Sequence, residues 1–159
     1  MLDSKPISFE DRASITKKQY ERMSKKHKKA LKKAAKNFKP WEYSYFMDVL
    51  YEMLSYMKDY YIGGYNVWQS DESLIPLLQS LITAYNAIKD IQEFKFEAPV
   101  NEFYLARPLK NLDDVNSNRY TEEQAAALKQ SHIESSELKK EMYATLFNTI
   151  RDHIDEWWD

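Results

Sequence analysis

An all-α fold of about four main helices, packed as an antiparallel bundle with a long irregular segment before the last helix, is what this sequence predicts. Three observations carry that expectation. Only two of the 159 residues are glycine, and they are adjacent, Gly63 and Gly64, whereas sheets built from hairpins need turn glycines at several places. Apolar residues recur at spacings of three and four through the long segments, which is the period of one helix face. Residues that start or stop helices punctuate those segments: Pro40, the glycine pair, Ser70 with Ser73, and Thr121. The length fits a single domain, residues 1–159, large enough to bury a core.

Residues 14–39 read as the first helix. Tyr20, Met23, His27, Leu31, Ala34 and Phe38 form a narrow stripe flanked by lysine, and good helix formers fill the rest. Asn37 and Pro40 mark a break, because the residue before a proline resists helical geometry. The second helix, 40–62, lies in PWEYSYFMDVLYEMLSYMKDYYIGG. Phe46, Leu50, Met53, Met57 and Tyr60 make its stripe, and Tyr43, Met47, Leu54 and Tyr61 widen it. Gly63 and Gly64 then supply the left-handed stop expected past a helix end.

In the third helix, 72–92, Ser70 or Ser73 acts as the cap, and Asp71 and Glu72 sit near the positive end. Leu74, Leu77, Leu78, Leu81, Tyr85 and Ile88 continue the apolar face, and Pro76 places the start near 72 because proline suits only a first turn. Residues 93–119 mix short apolar runs with Pro99, Pro108 and an Asn/Asp cluster. They read as an irregular, aromatic-anchored connection with a short extended piece at Glu102–Ala106. Thr121 and Gln124 form a capping box that opens the last helix, 121–158. Leu128, His132, Leu138, Met142, Leu146, Ile150, Ile154 and Trp157 carry its stripe, and the polar SHIESSE at 131–137 is a weak middle liable to bend or break.

Composition excludes several chemistries. With no cysteine, there is no disulfide, thiolate nucleophile or sulfur metal site. No apolar run is long enough to span a membrane, and the start, MLDSKPISFEDR, lacks the apolar core of a signal peptide. Too few glycines exist for a P-loop or a dinucleotide-binding turn. None of His27, His132 and His153 follows a glutamate by three positions, as a carboxylate-bridged helical metal site requires. His153 and Glu156 share a helix face, but a metal needs further ligands that the sequence does not assemble. Asp113-Asp114 and Glu122-Glu123 fit turn and capping duties. The expectation is therefore no enzyme, no catalytic residue, no metal and no cofactor.

Two surfaces remain as binding candidates. The net charge of −2 conceals a basic arm: Lys17 to Lys39 holds eleven Lys/Arg against the single acid Glu21, whereas Pro40 onward holds ten against 21 Asp/Glu. Lys25, Lys28, Lys29 and Lys32 represent that arm, which has three readings: a solvated face, a face packed against the acidic body, or a nonspecific contact to nucleic acid. Base reading is not expected from a helix with Arg22 as its sole arginine. The second surface is aromatic. Trp41, Tyr43, Tyr45, Tyr51, Tyr56, Tyr60, Tyr61 and Tyr65 wrap more than one face of the second helix. Either a thick core sealed by 93–119 absorbs them or an interface does, with a partner or a second copy. Trp41, Tyr45, Tyr56 and, in the next loop, Trp68 are the aromatic binding candidates.

PWEYSYFMDVLYEMLSYMKDYY and the ending MYATLFNTIRDHIDEWWD together resemble a group of small, uncharacterised bacteriophage proteins with a Trp/Tyr-rich helix near the front and a Trp-Trp-Asp finish. The likeness covers about a quarter of the chain and transfers no activity. It implies a phage product working in the host bacterial cytoplasm. The expected function is thus a non-catalytic accessory protein that binds a host or phage protein, as an anti-defence modulator or as a sequesterer of an anionic small molecule. Nonspecific nucleic-acid binding through 17–39 is the alternative, a homo-oligomer is admitted, and no membrane partner is expected.

The register through Leu146, Ile150, Ile154 and Trp157 gives the two terminal tryptophans different roles. Trp157 continues the buried stripe, and Trp158, about 100° around the helix, faces a flank or solvent. Trp157→Ala is expected to cost about 3–5 kcal/mol in urea unfolding and Trp158→Ala clearly less.

Overall fold

A computed structural model describes residues 15–63, 71–106 and 120–158. Among these residues there are five α-helices and no strand: α1 Lys17–Asn37, α2 Tyr43–Gly63, α3 Asp71–Gln92, α4 Ala98–Ala106 and α5 Glu122–His153. Single 3-10 turns, Lys95–Glu97 and Asp155–Trp157, precede α4 and follow α5. The fold class is all-α, with helices packed on one another as a bundle.

The contacts group the chain into two compact units rather than one, the first Met1–Lys89 with Thr145–Asp159 and the second Asp90–Ala144. Burial explains the grouping. In the first unit, Leu74, Leu77, Leu78, Leu81, Ala84, Ala87 and Ile88 are at most 4 % exposed, and Met47, Leu54, Leu146 and Trp157 are buried with them. Each such large side chain contributes roughly 1.5–3 kcal/mol when fully buried. Among the described residues of the second unit, Ile91 and Phe96 are the buried apolar side chains.

Within the first unit α1 and α2 form an antiparallel hairpin. The Ile15 amide donates to the Gly63 carbonyl at 3.1 Å, the Tyr20 ring meets Tyr60 edge-on, and Ser24 meets Tyr56. Partners advance along α1 as they retreat along α2. A capping box that the sequence reading passed over starts α1: the Gln19 amide donates to Thr16 Oγ1 at 3.3 Å, and the Thr16 amide donates to Gln19 Oε1 at 2.8 Å. Gly63 acts by proximity rather than as a left-handed stop. It is the last residue of α2, and an added Cβ would lie 2.7 Å from Ile15 Cδ1. Gly64 lies outside the described residues.

The two apolar stripes of α2 divide the labour differently from the expectation. Met47 and Leu54, read as a widening set, are the buried members, and Phe46 of the main stripe is 43 % exposed. Tyr51 of the same inner face stacks on Tyr85 of α3, and Lys58 lies 4.3 Å from the Tyr85 ring centre. α2 therefore has two partners, and the face toward α3 is the drier one.

α3 begins at Asp71, with Pro76 inside it and Ser73 within its first turn; Ser70 lies outside the described residues. Pro76 and Glu72, whose carbonyl loses its helical donor, are both exposed, where water meets that carbonyl.

In the second unit the irregular connection expected at 93–119 is corrected over its described part. Lys95–Glu97 is a 3-10 turn, and Glu102–Ala106, read as extended, belongs to α4. Pro99 is the second residue of α4, where its missing N–H costs nothing, so it starts a helix instead of breaking one. Phe94, with φ 54°, makes the left-handed turn out of α3 that glycine usually makes. Residues 107–119 lie outside the described residues. α5 runs unbroken through 131–137: Glu134, Ser136 and Glu137 are exposed there, Ser131 Oγ donates to the Ala127 carbonyl of the preceding turn, and Ser135 is buried. Its capping box is as expected: the Gln124 amide donates to Thr121 Oγ1 at 3.1 Å, and the Thr121 amide to Gln124 Oε1 at 3.0 Å. His132 and Ile154 of the expected stripe are exposed, whereas Leu146 and Trp157 are buried.

Thr16→Ala removes the oxygen that caps α1 and is expected to lower stability by about 1 kcal/mol, with Thr16→Asp holding near wild type. Urea midpoints of the three proteins test this directly.

Candidate binding surface

The hairpin α1–α2 carries nearly all the candidate residues, and it is held together by a polar seam. Ser24 and His27 are buried on α1, at 6 % exposure each. Ser24 Oγ and Tyr56 Oη share a 2.6 Å hydrogen bond, and His27 Nε2 donates to Asp59 Oδ2 at 2.7 Å. The His27 ring also stacks on Tyr56, with centroids 5.1 Å apart. A buried polar side chain left without a partner is costly, so these pairs fix which residues of α1 face α2. With its inner face committed, α1 turns the rest outward: Lys17, Lys18, Lys25, Lys26, Lys28, Lys29, Lys32, Lys33 and Lys36 are all exposed. None of them takes part in an ion pair among the described residues. The acidic body therefore does not neutralise the arm within the described chain.

At the turn between α1 and α2 the aromatic residues come to the surface. Trp41 is 80 % exposed, and Phe38, Tyr43 and Phe46 stand between 43 % and 50 %. Tyr45 is half-buried, and Lys39 lies 5.6 Å from its ring centre. The eight candidate residues thus do not form one site. Tyr45 and Tyr56 are eleven positions apart on α2, about 16 Å along the axis, so they belong to the tip and the seam respectively. Lys25 and Lys28 line a recess beside Ser24, Lys29 and Lys32 are exposed on the same helix, and Trp68 lies outside the described residues.

A further feature was not singled out from the sequence. A pocket of about 370 Å³ is lined by Leu31 of α1, by Met53, Tyr56, Met57, Tyr60 and Tyr61 of α2, and by Trp157 and Trp158. Trp157 is held in place twice. Its indole N–H donates to Ser80 Oγ at 2.8 Å, and its carbonyl accepts from Tyr61 Oη at 2.7 Å. Trp158, 64 % exposed, forms the rim. The spacing of Met53, Tyr56, Met57 and Tyr60 was the available signal, but it reads equally well as core. A second recess, also about 370 Å³, is lined by Tyr20, Glu21, Ser24, Lys25 and Lys28.

His153 Nδ1 and Glu156 Oε2 are 3.0 Å apart as an exposed pair. Among the described residues no group of three His, Asp or Glu side chains is placed to hold a metal, and no helix is long and apolar enough to cross a membrane. The chain matches no known family model, no curated protein and no solved structure.

On the α3 side of α2, Tyr51 and Tyr85 share a 3.2 Å hydrogen bond. That bond, with partial burial and the nearby Tyr85, pushes the Tyr51 hydroxyl up to about 12. An unfolded tyrosine titrates near 10, so the fold holds this proton longer than the unfolded chain does. Its stabilising contribution is complete below about pH 10 and is lost as pH rises through about 12. Phenolate absorbance titrations are expected to show a late-titrating tyrosine that Tyr51→Phe removes, and Tyr85→Phe should bring Tyr51 back toward its ordinary range.

Proposed function

We propose that this protein is a non-catalytic binding protein, a phage accessory factor of the host bacterial cytoplasm that docks on a protein partner through the α1–α2 hairpin. The phage setting rests on the resemblance of its aromatic helix and Trp-Trp-Asp ending. One observation carries the docking reading: a helix of exposed lysines, without acidic partners among the described residues, runs into an exposed aromatic turn. Exposed tryptophan and tyrosine supply the desolvated anchors that dominate interface energies. Lysines not already paired are available to steer an acidic partner and speed its encounter. A second reading, nonspecific binding of nucleic acid, is favoured by the same lysines, because a row of cations along one helix matches a phosphate backbone.

The two readings separate by which residues matter. A partner captured from bacterial lysate, purified and titrated against the protein, is expected to bind about 30-fold or more weakly to Trp41→Ser/Phe46→Ser, the loss typical of an interface anchor. Full affinity in that variant would overturn the docking reading. A DNA mobility shift at low salt that vanishes when Lys25, Lys28, Lys29 and Lys32 are changed to Glu supports the second reading, and no shift at low salt removes it.

A further inference from the structure

Two residue pairs link the linings of the two recesses of the hairpin: Ser24 lines one and Tyr56 the other, with their hydroxyls 2.6 Å apart, and Tyr20 of the one meets Tyr60 of the other edge-on. The linings are complementary in chemistry. In the first pocket Tyr56 Oη is engaged with Ser24 and Tyr61 Oη with the Trp157 carbonyl, so these residues offer ring surface rather than hydroxyls. Ring faces from tyrosine and tryptophan, together with the thioethers of Met53 and Met57, suit a flat aromatic body.

Ring faces also attract cations, so the pocket alone does not choose between an aromatic body and a quaternary ammonium. The neighbouring charges choose. Lys28 lies one turn before Leu31 on α1, and Lys25 a further turn back, and both line the second recess. Glu21 is the one acid there, and Lys32 follows Leu31 directly. Asp155 and Glu156 immediately precede the tryptophans, so the positive charge is concentrated on the α1 side of the site, where it draws an anionic group.

We propose that the two recesses form one binding site for an organic anion with a planar aromatic body. The body stacks among Tyr60, Trp157 and Trp158 above Met53 and Met57, and the anionic group meets Lys28 and Lys25. This site goes beyond the docking role and does not depend on it, since Trp41 and the hairpin turn contribute nothing to either lining.

The test uses two fluorescent probes on the full chain: anilinonaphthalene sulfonate, an aromatic anion, and phenyl naphthylamine, its neutral counterpart. Wild type is expected to bind both, the sulfonate more tightly and with a strong salt dependence. Lys25→Glu/Lys28→Glu should weaken the sulfonate about tenfold and the neutral probe by no more than about twofold. Met57→Trp fills the pocket and should abolish both, with helical circular dichroism and melting temperature monitored to show that it folds. Trp41→Ser should change neither. No binding by the wild type, equal loss of both probes on charge reversal, or retention of both by a folded Met57→Trp protein would overturn the proposal. If Met57→Trp does not fold, the charge-reversal pair alone decides it.

Discussion

The indole N–H of Trp157 has to find an acceptor once the ring is buried, and that requirement organises the first unit. It donates to Ser80 on α3, and Ser80 in turn donates to the Leu77 carbonyl, so the acceptor is itself oriented by its own helix. Tyr61 of α2 donates to the Trp157 carbonyl. One residue near the chain end thereby joins two helices that are remote from it in sequence. The 3-10 turn Asp155–Trp157 is the local device that brings the ring inward after α5 ends. Without that anchorage the far wall of the aromatic pocket would not exist.

A second constraint acts on α1. Ser24 and His27 are polar residues on the buried side of a helix whose other faces are charged. Their bonds to Tyr56 and Asp59 make the α1–α2 contact specific, because only one rotation of α1 satisfies both. The same rotation turns the lysines outward and leaves Leu31 at the pocket mouth. Packing, exposure of the basic face and the pocket's composition are thus consequences of one seam. This also explains how an arm of such high charge stays attached: hydrogen bonds and ring stacking hold it, and among the described residues its lysines make no ion pair.

Aromatic side chains in this protein serve three ends that composition alone merges. Trp157 and Tyr61 are structural, with every polar atom just described engaged. Tyr51 and Tyr85 hold α2 to α3 through both stacking and a shared hydroxyl bond. Trp41 and its neighbours at the hairpin turn are largely solvent-facing. The high tyrosine and tryptophan content therefore reflects a core, a pocket wall and a surface at once.

From residue order alone, the helical class, the long helices, the capping box at Thr121 and the different burial of Trp157 and Trp158 were legible. The first three follow from local rules, periodicity and capping chemistry; the burial of Trp157 comes instead through the 3-10 turn after α5, since Ile154 of the expected stripe is exposed. Three things were not. Pro99 reads as a breaker until its position at the start of α4 is known, since the same residue stops a helix in one register and begins it in another. Gly63 reads as a conformational stop, whereas its lack of a side chain serves the approach of Ile15. The pocket joins α1, α2 and the chain end, and no spacing rule relates Leu31, Met53 and Trp157. Sequence decides which residues share a face, because that is set by the helix itself. Only tertiary packing decides which faces meet, and so which aromatic residues become core, wall or surface.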